Sequence, residues 1–442
     1  MMTYEQAEEY LLHIPMFQQK NQFKDTVDFM DYLGNPGDGR KIIHVAGTNG
    51  KGSVCAYLRS VLTEAGFRVG MFTSPHLISI RERIRLGREV IGEQAFLQSF
   101  LKVKEALAHF RAAENQEYHP AFFEFLFFMA MDFFAEKDTD YIILETGMGG
   151  RLDATNVVKQ KKLCVITAIG YDHMQYLGDT IPVIAAEKAG IMKAGVPVVF
   201  AADNRAAANV IKTFGDSLGC PMMPVKGSDV SGYEKKINEI GNKSIDFYYH
   251  TRYYGYVRFS LPTTAYYQIE NAHLAIAAVE ELQERAITLQ HIKAALSKTI
   301  WPGRMEEVES GIFLDGAHNI DGMNAFLASA AADDCSGKRY MITGIVRDKQ
   351  YDKMIRRIAE SGLFDLVMVV PIQNGRSVTI GEFQHICSRY GQIHWSYRED
   401  AVLAYQEIKK LKQKEDIVYI AGSLYLAGQI KAGLAAKRNQ DD

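Results

Sequence analysis

The sequence predicts an α/β fold in two units, residues 1–298 and 299–442, each organised around a doubly wound, mostly parallel sheet. Short apolar runs rich in β-branched residues recur along the chain with helical patterns between them. Such runs suit parallel strands covered on both faces. The helical pattern stops at Trp301-Pro302-Gly303-Arg304, because proline disfavours helix before it and glycine after it. A second series of strand and helix signals then begins, which places the boundary near Thr299.

Residues 41–46 (KIIHVA) read as a strand, followed by a glycine-rich turn and a helix through Val54, Leu58, Val61 and Leu62. Further strands are expected at 141–144, 163–169 and 196–201. Residues 243–263 differ, because Phe247, Tyr248, Tyr249, Tyr253, Tyr254, Tyr256 and Phe259 stand among polar residues in short alternation. That pattern predicts antiparallel strands appended to the first sheet. In the second unit, strands are expected at 311–314, 340–343, 366–370 and 417–421.

Lys plus Arg number 50 against 53 Asp plus Glu, a net charge of −3, so the overall balance gives no electrostatic footprint for nucleic acid or anionic lipid and leaves open only a local basic patch. The most apolar stretch, 121–135, is interrupted by Glu124 and Asp132 and is too short to span a bilayer. The acidic start at Glu5, Glu8 and Glu9 is unlike a secretory signal. Five widely spaced cysteines form no CxxC pair, which fits reduced thiols. The expectation is a cytoplasmic protein with no nucleic-acid or membrane partner.

The strongest local signal is His44-Val45-Ala46-Gly47-Thr48-Asn49-Gly50-Lys51-Gly52-Ser53, between a strand and a helix. Glycines let backbone N–H groups close around phosphate oxygens, Lys51 supplies charge and the helix N-terminus adds its dipole. Gly52 separates Lys51 from Ser53, a departure from the usual GxxxxGK[ST] spacing. The bland reading is a glycine-rich turn with an accidental lysine.

Glu145 ends a strand and leads into Thr146-Gly147-Met148-Gly149-Gly150-Arg151. Ligands of open α/β sheets lie outside such strand ends, so this carboxylate could hold Mg2+ on nucleotide phosphates, or else pair with Arg151. Asp172-His173 also follows a strand and a glycine. Because Mg2+ prefers oxygen, the residues alone argue against His173 as a ligand.

Nine segments in order carry a resemblance: GTNGKGS, TSPHL at 73–77, ERI at 82–84, ETGMGGRLDATN at 145–156, DH at 172–173, EKAGI at 187–191, WPGR at 301–304, DGAHN at 315–319 and GSLYLAG at 422–428. Together they resemble the folylpolyglutamate synthases of the Mur ligase superfamily over nearly the whole chain. The resemblance implies an N-terminal phosphate-loop ATPase domain, a C-terminal Rossmann-like glutamate-ligase domain and an active site between them. It implies ATP as co-substrate, held by Asn49, Gly50, Lys51, Gly52, Ser53, Asn271, Arg304 and Asp315. It also implies Mg2+ on Ser74, Glu145 and His173, with Lys188 able to bind a second Mg2+, which reverses the reading of His173 from residues alone. K+ is a further candidate cofactor.

Lys188 matches the family lysine that is carboxylated on its side-chain nitrogen, where the bland reading is a surface ion pair beside Glu187. His318 and Ser423 match positions associated with the incoming glutamate, and Phe122, Phe123 and Arg151 fall on the folate and glutamate side. For each, the bland reading is a capping, turn or packing role. Lys51, Lys188 and His318 are the catalytic candidates.

The implied reaction is ATP-dependent ligation of L-glutamate to the γ-carboxylate of a reduced folate through an acyl phosphate, by a monomer. Family members that also make dihydrofolate commonly carry a Gly-Leu-rich segment before the phosphate loop. Residues 16–25 (MFQQKNQFKD) lack that glycine, which favours the polyglutamate reaction; the alternative is a bifunctional dihydrofolate synthase/folylpolyglutamate synthase. A UDP-muramoyl peptide ligase would need a further N-terminal domain. A simple phosphate-loop ATPase would leave the DGAHN and GSLY loops unexplained.

Overall fold

A computed structural model describes residues 2–15, 22–114, 117–237, 243–373, 377–391 and 393–441. The first sheet has eight strands: β1 Lys41–Ala46, β2 Val69–Phe72, β3 Ile84–Leu86, β4 Glu89–Val90, β5 Tyr141–Glu145, β6 Leu163–Ile166, β7 Val198–Ala201 and β8 Met222–Val225. Their spatial order is β4-β3-β2-β5-β1-β6-β7-β8. The six strands from β2 to β8 across that order are parallel, and β3 and β4 are antiparallel.

Alternation divides the central strands between two cores. Ile43, Val45, Tyr141 and Ile143 pack with the helices Lys51–Glu64 and Tyr267–Leu282 on one face. Ile42, Ile142 and Leu144 pack on the other against the phenylalanines of the helix Phe122–Glu136. Both faces are covered, so no polar alternation is needed in these strands.

The run expected as a strand through residue 169 stops at Ile166. Its continuation turns away to serve the phosphate loop, Ala168 accepting from the N–H groups of Thr48 (2.9 Å) and Asn49 (3.2 Å).

The aromatic segment corrects the expectation made of it. β9 Val230–Ile237, β10 Lys243–Thr251 and β11 Gly255–Leu261 form a separate three-stranded antiparallel sheet, not an extension of the first. Its inward residues Ile245, Phe247, Val257, Phe259 and Leu261 join the core of the Lys51–Glu64 helix. One-sided alternation calls for one buried face, and the helical layer supplies it.

The second sheet comprises β12 Glu306–Glu309, β13 Ile312–Leu314, β14 Arg339–Thr343, β15 Leu366–Val369, β16 His394–Tyr397 and β17 Ile417–Ala421, in the order β12-β13-β17-β14-β15-β16. All are parallel except β12. The helix Leu289–Leu296 and β12 bracket the linker that holds Trp301 and Arg304. Among the described residues, no helix is long and apolar enough to cross a membrane.

Candidate active site

The loop after β1 is shaped by contacts a side chain would prevent. Gly47 has φ 146° and a Cβ there would lie 1.8 Å from Thr167 Oγ1; Gly50 has φ 92° and a Cβ would lie 2.1 Å from Asn271 Oδ1. Glycine alone adopts such backbone at no cost and leaves that space. Gly50 caps the helix Lys51–Glu64, whose first N–H groups lack partners within the helix. Lys51 Nζ donates to Thr48 O at 3.3 Å, and Ser53 Oγ accepts from Gln268 Nε2 at 3.2 Å. Gln268 Oε1 in turn accepts from Asn271 Nδ2 at 3.1 Å, so Asn271 sits directly behind the phosphate loop.

Glu145 lies at the end of β5 and is buried, its Oε2 accepting the Ser74 N–H at 3.0 Å. Burial raises its pKa, opposed by Lys51, the Ser74 N–H, Arg304 and Arg83. A small cavity between the units is lined by Gly52, Ser74, Glu145, Trp301, Arg304 and Leu424, among others. Among the charges near that carboxylate, Lys51 favours its ionised form most. The alternative pairing of Glu145 with Arg151 does not form. Arg151 is largely exposed and instead reaches Glu187 Oε1 at 2.9 and 3.1 Å.

Lys188 is the larger surprise. Its side chain is buried and Nζ donates to Gly47 O at 2.7 Å, so the surface ion pair beside Glu187 is overturned. Burial, with Lys51 nearby, pushes its pKa down to about 7. His173 is held in a left-handed conformation, φ 50°, and burial pushes its pKa down to about 4. At neutral pH its ring is therefore uncharged, with Nε2 3.4 Å from Lys349 Nζ.

The second unit contributes Asp315 at the end of β13, whose carboxylate accepts from Met305 N at 2.9 Å, Ala317 N at 2.8 Å and the Tyr267 hydroxyl. Burial raises its pKa and Arg304 opposes this. His318 Nδ1 lies 2.8 Å from Gly316 O, and its Nε2 lies 3.4 Å from Asp172 Oδ2. Asn319 Nδ2 donates to Asp172 Oδ2 at 3.1 Å, and Lys349 Nζ binds Asp172 Oδ1. Burial disfavours the charge on Asp172, yet His318, Lys349 and His173 hold its carboxyl well below the usual range.

Two family models match the chain. The Mur ligase middle domain matches residues 45–279, and the Mur ligase glutamate ligase domain matches residues 303–424. The chain is 34% identical to the dihydrofolate synthase/folylpolyglutamate synthase of Bacillus subtilis, over 92% of this chain and 93% of that one. It is 30% identical to the folylpolyglutamate synthase of Lacticaseibacillus casei, over 98% and 99%.

The chain belongs to the folylpolyglutamate synthase family of Mur ligases.

The solved apo structure of the L. casei folylpolyglutamate synthase superposes with a TM-score of 0.84 at 27% identity, covering 98% of this chain and 100% of that one. A folylpolyglutamate synthase complex with AMPPCP and folate gives 0.84 at 28%, with the same coverage.

Several of the expected residues gather in two places. Lys51, Ser53, Ser74, Glu145 and Arg304 surround the cleft or its loop, and Asp172 brings His173 and His318 together. Phe122 is turned into the core beneath the Arg83 guanidinium, 5.1 Å from its ring centroid. Phe123 is half-buried, packed beside Gly147 and Phe72. Ser423 is buried and its Oγ accepts the Tyr425 N–H at 3.1 Å, the capping role that was its bland reading. Residues 16–21 of the segment bearing on dihydrofolate synthesis lie outside the described residues.

Sequence reasoning missed Lys349 and Gln268. Lys349 lies in the loop after β14, and the C-terminal end of a parallel strand is the signal that could have found it. Gln268 stands one turn before Asn271 in a largely apolar helix, with no local sign of its partner Ser53.

Among the described residues, no three His, Cys, Asp or Glu side chains gather to hold a metal alone. The Glu145 carboxylate and Ser74 hydroxyl are hard oxygen donors of the kind Mg2+ takes, and Mg2+ commonly completes its shell with phosphate and water. Thr146 Oγ1 and Thr167 Oγ1 are buried without partners beside Glu145 and Gly47. The residues fit Mg2+ delivered with a nucleotide.

Proposed function

We propose that this Mur ligase uses ATP to join L-glutamate to the γ-carboxylate of a reduced folate, building folylpolyglutamates. One observation carries the reading. The phosphate loop and Glu145 line one wall of a cleft to which the linker brings Arg304. The DGAHN loop of the second unit reaches the same phosphate loop through Asn319. The names of the relatives and the folate-bound complex support the substrate.

In this reading a γ-carboxylate oxygen of the folate attacks the terminal phosphorus of ATP, and ADP leaves. The amine nitrogen of glutamate then attacks the acyl carbon, phosphate leaves and the nitrogen loses its proton. Asn49, Gly50, Lys51, Gly52 and Ser53 cradle the phosphates, while Asn271, Arg304 and Asp315 complete the ATP site. Lys51 and Arg304 offset charge on the transferring phosphoryl group. Ser74, Glu145, His173 and Lys188 would hold Mg2+, which draws electron density from the phosphoryl oxygens. The neutral amine nitrogen of Lys188 can attack CO2 and lose a proton to give a carbamate, because burial lowers its affinity for protons. His318 and Ser423 serve the glutamate side, with Phe123 and Arg151 on the folate side. The division near Thr299 separates an ATP and folate domain from a glutamate domain, in a cytoplasmic monomer. Closure between them would exclude water from the acyl phosphate.

The test is mass spectrometry of products after incubation with ATP, Mg2+ and glutamate, with tetrahydrofolate or dihydropteroate as acceptor. Glutamate added to tetrahydrofolate alone establishes the proposed activity, and addition to both establishes a bifunctional enzyme. Addition to neither by folded protein refutes the substrate.

A further inference from the structure

Lys161 and Asn156 are buried polar residues that no step of the proposed chemistry uses. Lys161 Nζ donates to Ile191 O and to Asn156 Oδ1, each at 2.7 Å. Asn156 Nδ2 donates to Gly190 O and to Arg151 O, each at 3.0 Å. The Arg151 N–H donates to Glu187 O at 2.8 Å. These bonds converge on the C-terminal end of the helix Ile181–Ala189, which carries Lys188 in its last turn.

Helix ends leave carbonyls without helical partners, and a cation there is favoured by the helix dipole. Here those carbonyls are met from the loop after β5 and from the segment before β6. The approach is close: a Cβ on Gly150 would lie 2.8 Å from Glu187 O, and one on Gly190 would lie 2.4 Å from Arg151 Cβ. A buried lysine with two acceptors is costly where solvent could have capped the helix, so its retention calls for a positional role.

We infer that Asn156 and Lys161 are positioning residues that lock the end of this helix to the 146–153 loop and so aim Lys188 Nζ at the phosphate loop. The inference rests on the proposed role of Lys188. It makes the network the support for a group that must stay ordered 2.7 Å from Gly47 O. Outer partners of active-site ligands typically cost about 10- to 100-fold in activity when removed.

The experiment uses the full chain with Asn156→Ala, Lys161→Met and Lys188→Ala, each checked for fold by circular dichroism and Tm. Ligation is measured for kcat and for the KM of ATP. The carbamate is read by 13C NMR in labelled bicarbonate, with Lys188→Ala as the blank. The expected result is a loss of at least about tenfold in kcat with little change in KM, and a parallel loss of the carbamate signal. Folded variants with wild-type kcat, or with reduced kcat and a full carbamate signal, overturn the inference. If wild-type protein gives no carbamate signal, the carboxylation reading fails by itself, and the kcat and KM pattern alone decides the positioning role. Should Lys161→Met fail to fold, Asn156→Ala decides, since it leaves Lys161 its bond to Ile191 O.

Discussion

Asn49 of the phosphate loop and Asn319 of the DGAHN loop exchange their side-chain amides across the cleft, with Nδ2 to Oδ1 distances of 3.0 and 3.3 Å. Asn319 Oδ1 also caps the helix Ile320–Ala331 by accepting the Gly322 N–H at 2.8 Å. The two units are therefore joined directly at the phosphate loop. Asn49→Ala and Asn319→Ala should each lower kcat, and their effects should be non-additive by about 1 kcal/mol in a double-mutant cycle. Asn319→Ala should also cost about 1 kcal/mol of stability through the lost cap, measured by urea denaturation.

Lys51→Ala should abolish ligation, lowering kcat by at least about 100-fold as expected for loss of a charge that faces the transferring group. Its Nζ makes a 3.3 Å bond to Thr48 O, so circular dichroism and Tm should stay near wild type. Full activity in this variant would refute the phosphate-loop assignment.

Asp172 and Lys349 are largely shielded, their side chains 8% and 9% exposed, and each belongs to a different unit. Asp172→Asn should destabilise the protein by about 3 kcal/mol at neutral pH, because it leaves the lysine without its charge partner. The folded carboxyl lies below its unfolded value, so its contribution is complete above about pH 4 and is lost as pH falls further. Chemical denaturation across that range should show the acid loss in wild type and less of it in the variant.

The pKa of Lys188, pushed down to about 7, sets a pH limb for activity. Below that value the amine holds a proton and cannot add CO2, so kcat and the carbamate signal should rise together as pH climbs through 7. Stability follows the same sense: from about pH 7 to 10.5 the unfolded chain binds the extra proton, so the native state gains stability with rising pH. A kcat profile flat from pH 6 to 8 would remove Lys188 from the chemistry.

The phosphate loop and the strands β1, β5 and β17 were legible because each is local: an unbroken apolar run, glycines where only glycine fits, and a carboxylate at a strand end. Glu145 and Lys51 could be singled out on that basis alone. The family resemblance extended this to Lys188 and His173, whose own residue types argued otherwise.

Burial is a property of the whole fold, and there the letters ran out. Tertiary packing placed Lys188 in the interior and turned Phe122 into the core while leaving Phe123 half-buried. It also made the aromatic strands β9 to β11 a separate sheet. Lys349 and Asp172 are 177 residues apart, and the caps on the Lys188 helix come from residues 151 to 161. Local pattern reports which groups can act and where the chain turns. Which charges lose their water, and which partner compensates them, depends on segments distant in sequence and is decided only when both sheets are in place.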